Sequence, residues 1–123
     1  MISLVLPTFN PGEKIDSTWA AVLQFVRTRT EPWEVLFVLD GCTDGTADRL
    51  DRLAETDSDP RVKVLSYPAN RGKGYAVRTG LLAATGRVRA FTDVDLAYDF
   101  DDILSVVGRV SEASPAEIGR AHV

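Results

Sequence analysis

Cysteine occurs once, at Cys42, and histidine once, at His122. A single thiol excludes an intrachain disulfide framework and a cysteine-rich zinc site. A lone histidine in the tail leaves no imidazole to serve a serine or cysteine nucleophile as general base. Positive charge is also scarce: 14 Lys and Arg face 18 Asp and Glu, for a formal net charge of -4. That balance argues against a nucleic-acid binder, which needs a basic surface to neutralise phosphates. The chain opens on Ile2-Ser3-Leu4-Val5-Leu6 with no basic leader and no long apolar stretch, so neither a signal peptide nor a membrane span is read. A cytoplasmic location is expected, with any association at the cytoplasmic face of a membrane left to regions outside this chain. Phosphate-loop motifs are missing as well. No G-x-x-x-x-G-K-[ST] exists, and Gly72-Lys73-Gly74 lacks the later glycine of the dinucleotide fingerprint and follows the wrong strand.

What is present is a regular alternation. With 45% hydrophobic residues in 123 positions, the chain has the size of one ordinary domain. Four β-rich runs end in polar turns and alternate with helical patterns, which predicts an α/β fold around an open, mainly parallel sheet. Strands are predicted at Ile2 to Leu6, Trp33 to Leu39, Val62 to Ser66 and Val88 to Thr92. Trp19, Val22, Leu23 and Val26 form one apolar stripe at helical spacing. Asn10-Pro11-Gly12-Glu13 reads as the start of that helix, with Asn10 as N-cap, Pro11 at the first helical position and Glu13 closing a capping box. A second helix carries Ala47, Leu50, Leu53 and Ala54 on one face. A third, Lys73 to Thr85, has a small-residue face in which Gly80 permits close packing, with Gly86 as its stop. Ile103, Leu104, Val107 and Val110 mark a last helix.

In such a sheet, ligands bind outside the carboxyl ends of the strands, and the polar motifs follow those ends. Asp93-Val94-Asp95 puts two carboxylates on one side of an extended segment, where they can share a hard divalent ion such as Mg²⁺ or Mn²⁺. From the residues alone, strand ending and helix capping explain the pair equally well. Asp99, Asp101 and Asp102 read as capping and dipole-stabilising residues. Asn70-Arg71-Gly72-Lys73-Gly74 joins two cations and two glycines at a helix amino terminus, where free N–H groups and the dipole favour an anion such as a diphosphate; a solvated loop is the bland alternative. In Asp40-Gly41-Cys42-Thr43-Asp44-Gly45-Thr46, Asp44 and Thr46 read as cap and turn residues, and Asp40 as an acceptor for a base N–H.

Taken together, Leu4 to Asn10, Val38 to Thr46, Asn70 to Gly74 and Asp93 to Leu96 resemble family 2 glycosyltransferases in order and spacing, over Ile2 to about Val110. The segment Asp93 to Ala97 is most similar to the branch that transfers glucose or mannose to dolichyl or other polyprenyl phosphates. The resemblance implies the GT-A fold and a metal-assisted, inverting transfer of a hexose from a nucleotide diphosphate sugar to a polyprenyl phosphate or similar acceptor. It implies that Pro7, Thr8, Asn10 and Glu13 border the nucleoside, that Asp40 contacts the base and that Lys73 lies near the diphosphate. Asp93-Val94-Asp95 matches the family's DxD motif, with Asp95 on the Mg²⁺ or Mn²⁺ and Asp93 near ribose or sugar. Three positions depart from the pattern. Leu39 stands for the first aspartate of the usual Asp-Asp-Gly-Ser block, Cys42 for its serine, and Glu13 comes three residues after Asn10 where many relatives have it next.

Residues 1–112 accordingly read as the incomplete, nucleotide-sugar-binding part of a glycosyltransferase domain whose catalytic carboxylate is expected further along. Residues 113–123 read as a non-native or disordered tail, since Glu117 to Val123 corresponds to the translation of a common sequencing adapter. The fragment itself is expected to be inactive. Two alternatives stand beside this reading: a sugar-phosphate nucleotidyltransferase, which shares a related architecture, and a non-catalytic truncated product.

Overall fold

The computed structural model describes residues 1–92. Within them the chain runs β1 (Ile2–Thr8), α1 (Lys14–Thr28), β2 (Trp33–Asp40), α2 (Thr46–Thr56), β3 (Val62–Tyr67), α3 (Lys73–Ala83) and β4 (Val88–Phe91). The four strands form one parallel sheet in the order β3-β2-β1-β4. The expected last helix, the acidic run at 99–102, the boundary at 112 and the tail all lie outside the described residues.

Both inner strands are apolar in their middles, and buried almost throughout, because both faces of the sheet are covered. Every residue of β2 is buried. Leu4, Leu6, Val35, Phe37 and Leu39 pack with Ile15, Trp19, Val22, Val26 and Leu50 of α1 and α2. Alternate residues Val5 and Val38 turn to the other face and meet Ala76 of α3, with Leu65, Leu81 and Phe91 alongside. The small-residue face of α3 serves the expected close packing: a Cβ on Gly80 would lie 2.3 Å from Val5 Cγ1 and 3.0 Å from Val38 Cγ2.

Two terminal signals act differently from their sequence reading. Asn10 is not an N-cap; it takes φ 45, and α1 begins only at Lys14, with Glu13 in the flanking position and no side-chain cap. Pro11 is therefore outside the helix, and the capping box does not form, because the Asn10 amide is drawn across to the next loop. Gly86 is not the stop of α3, which ends at Ala83 with Ala84 as C-cap. Gly86 is instead required by proximity, since a Cβ there would sit 2.5 Å from Ser3 Oγ and 2.7 Å from the Met1 carbonyl oxygen.

Near the amino-terminal end of the sheet, Glu34 is 1% exposed. Its Oε1 accepts from Ser3 Oγ at 2.7 Å, from the Thr85 N–H at 2.6 Å and from Thr85 Oγ1 at 3.1 Å. Its Oε2 accepts from Lys63 Nζ at 2.9 Å. Burial pushes the Glu34 carboxyl up, but Lys63, the Thr85 N–H and the two hydroxyls outweigh it and hold the pKa down at about 2. This cluster joins β1, β2, β3 and the turn after α3, at the end of the sheet away from the polar motifs.

Candidate functional site

Because all four strands are parallel, the loops that follow them emerge at one edge. Loops 9–13, 41–45 and 68–72 meet there, and Thr92, the last described residue, follows β4 toward the same edge, its N–H bonded to the Val5 carbonyl at 3.1 Å. The middle loop holds the other two.

On one side it grips the β1–α1 loop. Asn10 Oδ1 accepts from the Thr43 N–H at 2.8 Å, and Asn10 Nδ2 donates to Thr43 Oγ1 at 3.2 Å. The Gly12 N–H donates to Asp44 Oδ2 at 2.9 Å, while Asp44 Oδ1 accepts from the Thr46 N–H and hydroxyl. Asp44 and Thr46 are structural turn residues, as expected, but neither caps α2, whose N-cap is Gly45 with no side-chain cap. Burial raises the Asp44 carboxyl, but these donors together hold it below the ordinary carboxylate value. Asparagine tolerates the left-handed conformation of residue 10 better than most side chains, which lets its amide face Thr43.

On the other side the middle loop grips the β3–α3 loop through Asp40, only 3% exposed. Asp40 Oδ1 accepts from the Tyr67 hydroxyl at 2.7 Å and the Arg71 N–H at 2.8 Å. Its Oδ2 accepts from Asn70 Nδ2 at 3.1 Å and the Gly72 N–H at 3.0 Å. A carboxylate offers about four acceptor sites, and four protein donors fill them. The N–H groups of Arg71 and Gly72, expected to be free for an external anion, are therefore directed at an internal one. Gly41 completes the contact: its φ is +64, and a Cβ there would lie 2.2 Å from the Asn70 nitrogen.

The cations rest on this base. The Arg71 guanidinium lies 5.5 Å from the Tyr75 ring centroid, and Tyr75 meets Tyr67 edge to face at 5.2 Å. Lys73 opens α3, with Nζ 6.0 Å from the centroid of Phe91 in β4. A cleft of about 320 Å³, lined by Leu39, Cys42, Ala47, Ser66, Tyr67 and Pro68, opens between the second and third loops. Burial, then the hydrogen bond to Asp40 and its charge, push the Tyr67 phenol well above its ordinary value, so it remains a donor at neutral pH.

Of the residues read as nucleotide-binding, Pro7 and Thr8 are buried at the end of β1, where the Thr8 hydroxyl donates to the Leu6 carbonyl. Asn10, Glu13 and Lys73 are exposed at the same edge. Asp93 and Asp95 lie outside the described residues, among which no group of three potential metal-binding side chains occurs. Tyr67 was missed by sequence reasoning. Its signal is the strand register, which pairs Asp40 with Tyr67, and register is invisible before the strands are aligned.

A family profile described as "Glycosyl transferase family 2" matches residues 3–120. The dolichyl-phosphate beta-glucosyltransferase of Drosophila melanogaster is 33% identical over 106 residues, covering 82% of this chain and 32% of that protein. The prophage bactoprenol glucosyl transferase homolog of Escherichia coli K12 is 40% identical over 95 residues, covering 77% and 30%. Among solved structures, the mannosyltransferase PcManGT from Pyrobaculum calidifontis, in complex with GDP-Man and Mn²⁺, superposes with a TM-score of 0.70 at 29% identity, over 85% of this chain and 30% of that one. The chain spans about a third of the length of the curated relatives it matches. The architecture, a parallel four-stranded sheet with flanking helices, matches that of the GT-A neighbours.

Proposed function

The chain belongs to glycosyl transferase family 2, and from that premise we propose that it is the donor-binding part of an enzyme that transfers a hexose from a nucleotide diphosphate sugar to a polyprenyl phosphate or similar acceptor. The observation that supports this most is the convergence of three interlocked loops at the carboxyl edge of a parallel sheet, with Arg71 on the third and Lys73 opening the helix that follows it. In this reading Pro7, Thr8, Asn10 and Glu13 border the nucleoside, and Lys73 faces the diphosphate.

Asp95, with Asp93 beside it, is assigned the divalent ion. The donor set fits, because carboxylate oxygens suit Mg²⁺ or Mn²⁺ alongside substrate phosphates; Thr92, next in sequence, stands at the loop edge. An ion held by Asp95 and Asp93 would supply charge neutralisation for the leaving diphosphate. The chain's own contribution is positional: the cations Arg71 and Lys73 at the amino end of α3 orient the diphosphate before the acceptor attacks. Relatives named for dolichyl phosphate and bactoprenol favour a lipid-phosphate acceptor. Its site and the catalytic base are assigned to no residue of this chain. The nucleotidyltransferase alternative is not favoured, because the family match runs along nearly the whole chain and Pro7-Thr8-Phe9-Asn10 replaces the Gly-rich, Arg- and Lys-bearing loop after β1.

Calorimetric titration of the chain with UDP-glucose and GDP-mannose, each with and without Mn²⁺, tests the proposal. Metal-dependent binding is expected with at least one donor, and its loss in Asp95→Ala. A folded chain that binds neither, or an Asp95→Ala variant that binds as tightly as the wild type, contradicts it.

A further inference from the structure

Strand β2 carries a buried carboxylate near each end, Glu34 and Asp40. Six residues apart, they share one face of the sheet, the face on which Val38 meets α3, and about 20 Å of strand separates them. The eleven residues of α3 extend about 16 Å, so the helix fits between them. Glu34 accepts from the Thr85 N–H just beyond its carboxyl end, and Asp40 accepts from the Arg71 and Gly72 N–H groups just before its amino end.

From this geometry we infer that Asp40 and Tyr67 are positioning residues of the donor site: they fix the turn that presents Arg71 and Lys73 to the diphosphate, and Asp40 does not read the nucleobase. The inference rests on the donor-site reading above. A base N–H needs an acceptor with a vacant direction, and both Asp40 oxygens already receive two protein donors each. Those donors come from the side chains of Tyr67 and Asn70 and the main chain of Arg71 and Gly72, which defines the path of the turn on all sides. Gly72 adopts φ 94 as the N-cap of α3 with no side-chain cap of its own, so the anion at this amino terminus is supplied from β2. Tyr67 orients that anion from its register position beside it, and Gly41 allows the two loops to touch through their backbones. Loss of the Tyr67 hydroxyl leaves one Asp40 acceptor site vacant and loosens the turn without removing any group that meets the ligand.

The test compares the wild-type chain with Tyr67→Phe and Asp40→Asn. Amide NMR is recorded without ligand, and affinities are measured for UDP-glucose, GDP-mannose and inorganic pyrophosphate, each with Mn²⁺. In Asp40→Asn the Arg71 and Gly72 amides are expected to lose exchange protection while the Thr85 amide, held by Glu34, keeps its own; a general loss of stability would move all three. Affinity for every ligand the wild type binds, pyrophosphate among them, is expected to fall by a similar factor, roughly tenfold in Asp40→Asn and less in Tyr67→Phe, as for loss of hydrogen bonds to a charged group. Should Asp40→Asn fail to fold, Tyr67→Phe, which removes one oxygen, decides by the same readings. A loss confined to one nucleobase with pyrophosphate unaffected would overturn the inference, as would unchanged Arg71 and Gly72 amides. A folded wild type that binds none of the three ligands removes the donor-site reading and this role with it, whereas nucleotide binding that Tyr67→Phe and Asp40→Asn leave intact removes the positioning role alone.

Discussion

Glu34→Gln is expected to lower the stability of the folded chain at neutral pH by about 3 kcal/mol. The figure comes from the carboxyl group itself, held at about 2 against an ordinary 4.5, at about 1.4 kcal/mol per unit. A folded-state pKa below the unfolded one means that the stabilisation is complete above pH 4.5 and disappears as the pH falls toward 2. Glutamine matches the shape but must direct an amide donor at Lys63 or at the Ser3 and Thr85 donors, all of which need an acceptor. Removing one member of a buried, paired set commonly costs 3–5 kcal/mol, which agrees in order of magnitude. Urea unfolding followed by fluorescence of Trp19 and Trp33, both buried, measures it. With a slope of about 1.5 kcal/mol per molar, the midpoint falls by about 2 M. Asp16, Asp44, Asp57 and Asp59 are also held below their ordinary values, but they occur in both proteins and cancel in the difference. The difference between wild type and Glu34→Gln should therefore shrink between pH 4.5 and 2. A difference that stays constant across that range, or one below 0.5 kcal/mol at pH 7, refutes the reasoning.

Gly41→Ala combines a strained φ of +64 with a Cβ 2.2 Å from the Asn70 backbone nitrogen, so a loss of about 2 kcal/mol or more is expected; thermal unfolding indistinguishable from wild type would show that the two loops do not touch. Burial, with the charges of Asp44 and Asp40 adding to it, raises the Cys42 thiol against the opposing hydrogen bonds from Asn10 and Thr46. Alkylation of Cys42 by iodoacetamide at pH 7.5 should consequently be slower than that of glutathione, and an equal or faster rate would contradict this placement of the thiol.

Much of the loop edge is legible because it depends on local chemistry. The strand starts at Ile2, Trp33, Val62 and Val88, the turn residues Asp44 and Thr46 and the small-residue face around Gly80 follow from propensity and periodicity, and the structure keeps them. The failures occur where a polar side chain chooses between a local partner and a distant one. Asn10 has the sequence of an N-cap, yet its amide finds Thr43, 33 positions away. Arg71 and Gly72 have the sequence of an anion cradle, yet Asp40, 31 and 32 positions away, takes their N–H groups.

Order along the chain determines the fold class, the parallel sheet and the edge at which the motifs emerge, because apolar strand runs ending in polar turns and alternating with helical-period stripes admit little else. Partner choice among buried polar groups is decided only once the strands are in register: Asp40 beside Tyr67, Glu34 within reach of Ser3, Lys63 and Thr85. A buried carboxylate must be fully hydrogen-bonded wherever its donors lie in sequence, and the tertiary structure alone brings those donors to it.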